Sequence, residues 1–102
     1  MSCWKVFIRE MDKRNPSEGQ KAIFLDRDGT LMKDVGYCST PGEVELVEGV
    51  RRLLPKLKAA GFKLVIVTNQ SGIGRGYFTE EDFWSVQREL ESQLGSGVID
   101  AT

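Results

Sequence analysis

Two short apolar runs, each followed by polar side chains and a glycine, restrict this chain to a small group of folds. Residues 22–25 lead directly into Asp26–Thr30 (DRDGT), and residues 63–67 lead into Thr68–Gly72 (TNQSG). Apolar, β-branched runs of this length are typical of buried strands. In an open parallel sheet the ligand crevice lies outside the carboxyl ends of the strands. The two polar segments are therefore expected to meet at one site.

The rest of the chain supplies helices between these runs. The expected strands are 21–26 and 63–68, separated by a loop to about residue 45 that is long enough to cover a site. Apolar residues recur at helical spacing over 47–60, where Pro55 predicts a bend or a later start. Thr79 is a favourable cap for a second helix running to about residue 94, and the expected core positions of this helix are Phe83, Val86, Leu90 and Leu94.

Strand, helix, strand, helix is typical of right-handed βαβ units. The predicted fold class is therefore α/β, a Rossmann-like parallel sheet with flanking helices. Val98–Asp100 predicts the start of a third strand, and Trp4–Ile8 a short one. Residues 12–20, which contain Asn15-Pro16 and Gly19, are interpreted as a linker.

Asp26 and Asp28 stand one residue apart at the end of the first strand. Residues two apart point to the same side of an extended chain, and Gly29 and Thr30 allow the chain to curl there. One carboxylate can attack phosphorus, the other can handle the leaving-group proton, and a divalent cation offsets their repulsion. A plain polar turn is the alternative, and the second polar segment at 68–72 favours the site.

Composition excludes several other functions. With 102 residues, 40% of them hydrophobic, the chain is expected to be one soluble domain. Its net charge of −1 shows no excess of basic residues of the kind expected in a protein that binds nucleic acid. No apolar stretch approaches the roughly 20 residues of a membrane span, so a cytoplasmic protein without a membrane partner is expected. The chain has no histidine, which removes histidine-based triads and zinc sites, and its two cysteines, Cys3 and Cys38, are expected to be free thiols.

Residues 24–31 (FLDRDGTL) resemble the first motif of the haloacid dehalogenase superfamily, and Thr68-Asn69 resembles its second. Asp34–Tyr37 and residues 68–79 are similar to the branch that contains heptose bisphosphate phosphatases and histidinol-phosphate phosphatases. The resemblance covers roughly residues 21 to 100. It implies a haloacid dehalogenase-like fold that is cut short, with 1–20 as a leader or linker and 21–102 as the N-terminal part of a phosphatase domain.

The resemblance further implies a Mg²⁺-dependent phosphomonoester hydrolase acting on a small phosphorylated metabolite, a sugar bisphosphate or histidinol phosphate. Asp26 would attack phosphorus and become an aspartyl phosphate, while Asp28 would transfer protons. Asp26 and the backbone carbonyl of Asp28 would bind Mg²⁺, and Thr68 would hold the phosphoryl oxygens. The residues expected to contact substrate are Arg27, Asp34, Gly36, Tyr37, Asn69, Gln70, Ser71 and Arg75.

Three alternatives stay open. The segment Gly72–Gly76 is also similar to the 3′-phosphatase domains of polynucleotide kinases, although as a nucleotide loop it matches no phosphate-binding pattern. A domain that binds phosphate without turnover is the second, and a fragment completed by another copy through the unfinished sheet is the third. The later lysine and acidic metal ligands of the superfamily cannot be assigned, nor can a zinc loop, so the chain by itself is expected to have little or no activity.

Overall fold

A computed structural model of the protein describes residues 4–5 and 21–102. The expected linker at 12–20, and most of the short strand expected at 4–8, lie outside the described residues. The elements in chain order are β1 (Trp4–Lys5), β2 (Lys21–Asp26), a 3₁₀ turn (Pro41–Glu43), α1 (Val50–Ala59), β3 (Phe62–Asn69), α2 (Ser71–Gly74) and α3 (Glu80–Leu94).

Strand β3 is the centre of the sheet, as its apolar sequence predicts. The strand order is β1-β3-β2, with β2 parallel to β3 from Lys21↔Phe62 to Asp26↔Val67. On the other side β1 runs antiparallel, with Trp4 opposite Asn69. The parallel pair brings the ends of β2 and β3 to the same edge of the sheet, which confirms the α/β fold class and fixes the place of the site.

The start of a third strand, expected at 98–100, is seen as a single bridge one residue later. Ala101 forms a single parallel bridge with Val65, and the Ile66 amide donates to the Ala101 carbonyl at 2.8 Å. Asp100 fixes this register, because its carboxylate accepts from the Leu64 amide and from the Lys58 ammonium of α1, both at 2.8 Å. The ion pair therefore ties α1, β3 and the segment after α3 together.

The core lies on the face of the sheet that α1 and α3 cover. Leu64 and Ile66 of β3 are fully buried there, opposite their register partners Ile23 and Leu25 of β2. Burying an aliphatic side chain of this size contributes about 1.5 to 3 kcal/mol, so these positions supply much of the stability. The four residues expected to form the buried face of α3 are all buried: Phe83, Val86, Leu90 and Leu94.

The two long helices differ in how closely they follow the sequence prediction. At α3 the Thr79 hydroxyl accepts from the Asp82 amide at 3.0 Å, and the Asp82 carboxylate accepts from the Thr79 amide at 2.9 Å, so the cap is confirmed. Helix α1 begins at Val50, three residues later than expected, because Gly49 before it has a φ of 88°. Pro55 is the sixth residue of α1, so the later start does not bring the proline into the first turn of the helix.

The loop between β2 and α1 folds back over the carboxyl ends of the strands. The Leu31 and Met32 amides donate to the Arg27 carbonyl at 2.9 and 3.2 Å, and both side chains are buried in the core. The Lys33 amide then donates to the Glu45 carbonyl at 2.8 Å, which closes the base of the loop. Residues 34–37 are thereby held beside the end of β3, where the sequence places a site.

Among the described helices none is long and apolar enough to cross a membrane.

Candidate active site

The two carboxylates stand at the carboxyl end of β2 but in different surroundings. Asp26 is the last residue of the strand and is exposed, with Oδ1 accepting from the Arg27 amide at 3.1 Å. The Asp28 side chain is only 20% exposed. Gly29 follows with a φ of 92°, a conformation that favours glycine, and its amide donates to the Met32 carbonyl at 2.7 Å. The exposed group is therefore available as a nucleophile, and the enclosed group is held in place.

Arg27 holds Asp28 from below. Its side chain is 1% exposed, with Nε at 3.1 Å from Asp28 Oδ2 and Nη2 at 3.3 Å from Asp28 Oδ1. The guanidinium carbon lies 4.9 Å from the centre of the Phe83 ring. The charged group of Arg27 is buried between a carboxylate and an aromatic ring, and the expected contact of Arg27 with substrate stays a prediction. Phe83 packs in the core, as expected.

Gln70 links the ends of the two strands. It is 5% exposed, and its Nε2 donates to Thr68 Oγ1 at 2.6 Å and to Asp28 Oδ2 at 3.2 Å. Thr68 is itself buried, with its hydroxyl directed at this amide. The phosphate-holding group expected from β3 and the proton-transfer group expected from β2 therefore share one hydrogen-bond donor.

A polar pocket of about 130 Å³ opens where the two segments meet. It is lined by Asp28, Asp34, Gly36, Tyr37, Asn69, Gln70, Ser71 and Gly72. Seven of these are residues that the sequence assigns to the site. Asp26, Arg27, Thr68 and Arg75 are not in the lining, and Arg75 is exposed. We call this cavity the site pocket.

Two of the lining groups have defined polar surroundings. The Asp34 carboxylate accepts from the Gly36 amide at 2.9 Å, a local turn that Gly36 permits with a φ of 85°. Asn69 Oδ1 is buried and has no hydrogen-bond partner. Because unpaired buried oxygens are costly, this acceptor is available to a donor that enters the site pocket.

Sequence reasoning missed a group of aromatic rings beside the site pocket. Tyr37, Tyr77 and Phe78 form this group, which we call the aromatic wall. A Cβ placed on Gly72 would stand 2.3 Å from the Phe78 ring and 2.8 Å from the Tyr37 ring, so only glycine fits there. The Tyr37 and Tyr77 rings meet edge to face with centres 4.7 Å apart, and both remain partly exposed. A glycine followed within six residues by two aromatics was the available signal. This signal does not predict the close approach by itself, because the approach depends on the loop at 34–37.

The short helix α2 also differs from expectation. Residues Ser71–Gly74 form one helical turn directly after β3, where the glycines at 72–76 suggested a loop. The turn directs Ser71 into the site pocket and places Gly72 beneath the aromatic wall.

Cys38 lies in the core beside the loop and is a free thiol, as expected. Burial raises the pKa of this thiol above its ordinary value, with the Glu43 carboxylate adding to the shift. The protonated form prevails at neutral pH, so Cys38 is not a nucleophile of the site.

The oxygens present can supply part of a magnesium site. Mg²⁺ prefers six oxygen ligands and usually keeps several waters. The exposed Asp26 carboxylate and the Asp28 carbonyl, both at the carboxyl end of β2, are oxygens of the kind that Mg²⁺ binds. Within residues 21–102 no group of three or more acidic, cysteine or histidine side chains could hold a metal ion. The two oxygens therefore fit Mg²⁺ as two ligands among several.

Solved structures share this arrangement of strands and helices. D,D-heptose 1,7-bisphosphate phosphatase from B. bronchiseptica, complexed with magnesium and phosphate, superposes with a TM-score of 0.73 at 31% identity over 79% of this chain. A candidate HAD-like phosphatase from Mesorhizobium loti gives a TM-score of 0.78 at 37% identity over 94% of this chain. The fold and the paired aspartates therefore define a haloacid dehalogenase-like phosphatase domain.

Sequence comparison narrows the class. No family model matches the chain. D-glycero-beta-D-manno-heptose-1,7-bisphosphate 7-phosphatase from Haemophilus ducreyi is 54% identical over 76 residues, 74% of this chain. Together with the structures, this relative shows that the chain belongs to the D-glycero-D-manno-heptose-1,7-bisphosphate 7-phosphatase family. The chain spans 42% of that relative and 46% to 47% of the two solved chains, about half their length.

Proposed function

We propose that this chain carries the nucleophile and the general acid of a Mg²⁺-dependent phosphomonoester hydrolase. The observation that carries the proposal is the pairing of an exposed Asp26 with an Asp28 that lines the site pocket at the same end of the sheet. Of the two carboxylates, the solvent-accessible one suits attack on phosphorus. The oriented one suits proton transfer.

The reaction would proceed in two displacements at phosphorus. An Asp26 carboxylate oxygen forms a bond to phosphorus as the ester oxygen leaves, and Asp28 gives that oxygen a proton. Asp28 then takes a proton from water, whose oxygen bonds to phosphorus and releases inorganic phosphate and the Asp26 carboxylate. When bound at Asp26 and the Asp28 carbonyl, Mg²⁺ would offset the negative charge that gathers around phosphorus.

Donors at the end of β3 would hold the phosphoryl oxygens. Thr68 can donate its hydroxyl hydrogen while its oxygen accepts from Gln70. Asn69 and Ser71, which follow Thr68 in the chain, line the site pocket. Because the transferring group carries its charge on its equatorial oxygens, donors fixed in this way stabilise the transition state.

For the substrate we propose a heptose bisphosphate. The wall formed by Asp34, Gly36 and Tyr37 is polar with one aromatic ring, which suits hydroxyl groups and the face of a sugar. The Haemophilus and B. bronchiseptica relatives carry the heptose name. None of the relatives described above is a histidinol-phosphate phosphatase, so the sugar bisphosphate is the substrate proposed of the two that the sequence left open.

The test is Asp26→Asn in the full-length protein, assayed on heptose bisphosphate, histidinol phosphate and a 3′-phosphorylated oligonucleotide. The amide keeps the shape and loses the nucleophilic charge, so turnover should fall at least about 1,000-fold, well within the roughly 10⁶-fold or larger acceleration that enzymes achieve. Asp34→Asn, on the rim of the site pocket, is the matched control and should change KM more than kcat. Asp26→Asn activity within tenfold of the parent would refute the proposal.

A further inference from the structure

We infer that Arg27 and Gln70 are positioning residues that orient the Asp28 carboxylate for proton transfer; together we call them the Asp28 clamp. The inference rests on the proposed function, because it assigns a task to Asp28. It goes beyond that function by giving two buried side chains the task of orienting the Asp28 carboxylate.

The first half of the Asp28 clamp is a buried charge. Arg27 is 1% exposed, and its Nε and Nη2 reach the two different oxygens of Asp28 at 3.1 and 3.3 Å. A guanidinium fork that meets both oxygens fixes the plane of a carboxylate, which a single point charge cannot do. Asp28 therefore cannot rotate about its last bond without losing a contact.

The cost of burying Arg27 argues against a purely structural role for this arrangement. Arg27 Nη1 is buried and has no hydrogen-bond partner, so part of the cost of burying the guanidinium is not offset. Buried ion pairs of this kind can often be replaced by apolar residues without loss of stability. An arginine that a core would not need, placed on the carboxylate of a general acid, indicates a catalytic purpose.

The second half of the Asp28 clamp comes from the other strand. Gln70 Nε2 has two hydrogens, and it uses them on Thr68 Oγ1 at 2.6 Å and on Asp28 Oδ2 at 3.2 Å. Asp28 Oδ2 thus accepts two hydrogen bonds from the clamp, whereas Oδ1 accepts one. Oδ1 is the oxygen with the greater free capacity, so the geometry assigns it to the transferred proton.

Helix α3 braces the Asp28 clamp from behind. The fully buried Phe83 ring lies 4.9 Å below the Arg27 guanidinium, within cation–π distance. The ring packs against the guanidinium and restricts its movement. The orientation of a loop carboxylate is in this way tied to the packing of a helix of 15 residues.

The experiment compares two esters in the full-length protein. Nitrophenyl phosphate needs little protonation of its leaving group, whereas a sugar or alkyl phosphate needs a great deal. With Arg27→Met, kcat on the alkyl ester should fall about 10-fold to 100-fold, part of the roughly 100-fold to 10,000-fold that general acid catalysis contributes. On the nitrophenyl ester kcat should change less than about threefold, and KM less than about twofold on either ester.

Gln70→Met removes the second half of the Asp28 clamp with no change in net charge. It should show the same ester selectivity at a smaller size, about 3-fold to 10-fold, as expected for loss of a neutral donor. It also carries the test if Arg27→Met fails to fold. Arg52→Met makes the same chemical change on the exposed side of α1 and should leave both rates unchanged.

A double-mutant cycle separates positioning from general structural damage. In an Asp28→Asn background, Arg27→Met should cost less than about twofold more on the alkyl ester, because the group it positions is already gone. Equal losses on both esters, or losses that multiply in the double variant, would overturn the inference. A raised KM at constant kcat would instead make Arg27 a substrate contact. If Asp26→Asn retains turnover, the proposed function itself is wrong.

Discussion

Strands β2 and β3 are both apolar runs in the sequence, yet the structure surrounds them differently. In β3, Leu64, Val65 and Ile66 are all buried, so both faces are covered. In β2, Phe24 is 68% exposed, although it stands opposite Val65, which is 6% exposed. The outer edge of β2 has no partner strand among the described residues. The covered strand supplies the core, whereas the exposed one leads into Asp26 and Asp28, the two carboxylates that we propose carry the chemistry.

The contrast between the covered strand β3 and the exposed strand β2 is tested most severely by experiments on the 102-residue chain alone. We expect little or no turnover and weak Mg²⁺ binding, because Asp26 and the Asp28 carbonyl supply too few of the six oxygens that the cation prefers. We also expect self-association, since the open edge and Phe24 offer a surface for a second copy. A phosphatase assay measures turnover, calorimetric titration measures Mg²⁺ binding, and sedimentation measures self-association. A monomer with kcat of about 1 to 1,000 per second would contradict the expectation.

The next largest effect concerns stability. Ile66→Ala should lower the free energy of unfolding by about 2 to 5 kcal/mol, because it leaves a cavity in a covered core. Phe24→Ala in the same chain should cost less than about 1 kcal/mol, because most of its ring already contacts solvent. Urea unfolding of both variants measures the difference. Similar losses would mean that Phe24 is covered in solution.

Thr68 is the residue of the buried strand β3 that we propose holds the phosphoryl oxygens. Thr68→Val keeps the β-branched volume and removes the hydroxyl, so in the full-length protein it should weaken transition-state binding by about 1.5 to 3 kcal/mol, the range for hydrogen bonds to charged groups. The ratio of kcat/KM values measures this loss. Unchanged kcat/KM would show that the hydroxyl serves only Gln70.

The smallest effect concerns the loop that joins the two regions. Cys38 is buried and the pKa of its thiol is raised, so it stays protonated as pH rises into the range where an exposed thiol ionises. In a Cys3→Ser variant we expect alkylation by iodoacetamide at pH 8 to be slow when native and fast in urea. The folded state gains from the neutral thiol below its unfolded pKa and loses that gain as pH rises through the folded pKa. Equal native and unfolded rates would show that the loop opens.

Local sequence was sufficient wherever a short-range rule decides the outcome. The cap at Thr79 follows from residues three positions apart, and the Asp26 and Asp28 pair follows from the end of a strand. Burial of Arg27 did not follow, because an arginine beside two aspartates is equally suited to a ligand. Its place depends on Phe83, which approaches from more than 50 residues away in the sequence.

The sequence also did not predict that the face of β2 that carries Phe24 is exposed. An apolar run predicts that cover is needed, not which residues provide it. The close approach of Tyr37 to Gly72 is similar, because it requires the loop at 34–37 to fold over β3 first. Long-range contacts of this kind are the part of the site that pattern reasoning missed.

The hydrogen bond from Gln70 to Asp28 spans 42 residues of chain, and the parallel pairing of β2 with β3 has a similar span. Closing loops of this length costs entropy before any contact compensates for it, so such pairings form late and slowly during folding. No helix or turn can build this site by local folding alone. A newly made or partly unfolded molecule therefore lacks the oriented Asp28 carboxylate even when its secondary structure is present. Recovery of the Gln70 contact during refolding would report completion of the parallel sheet.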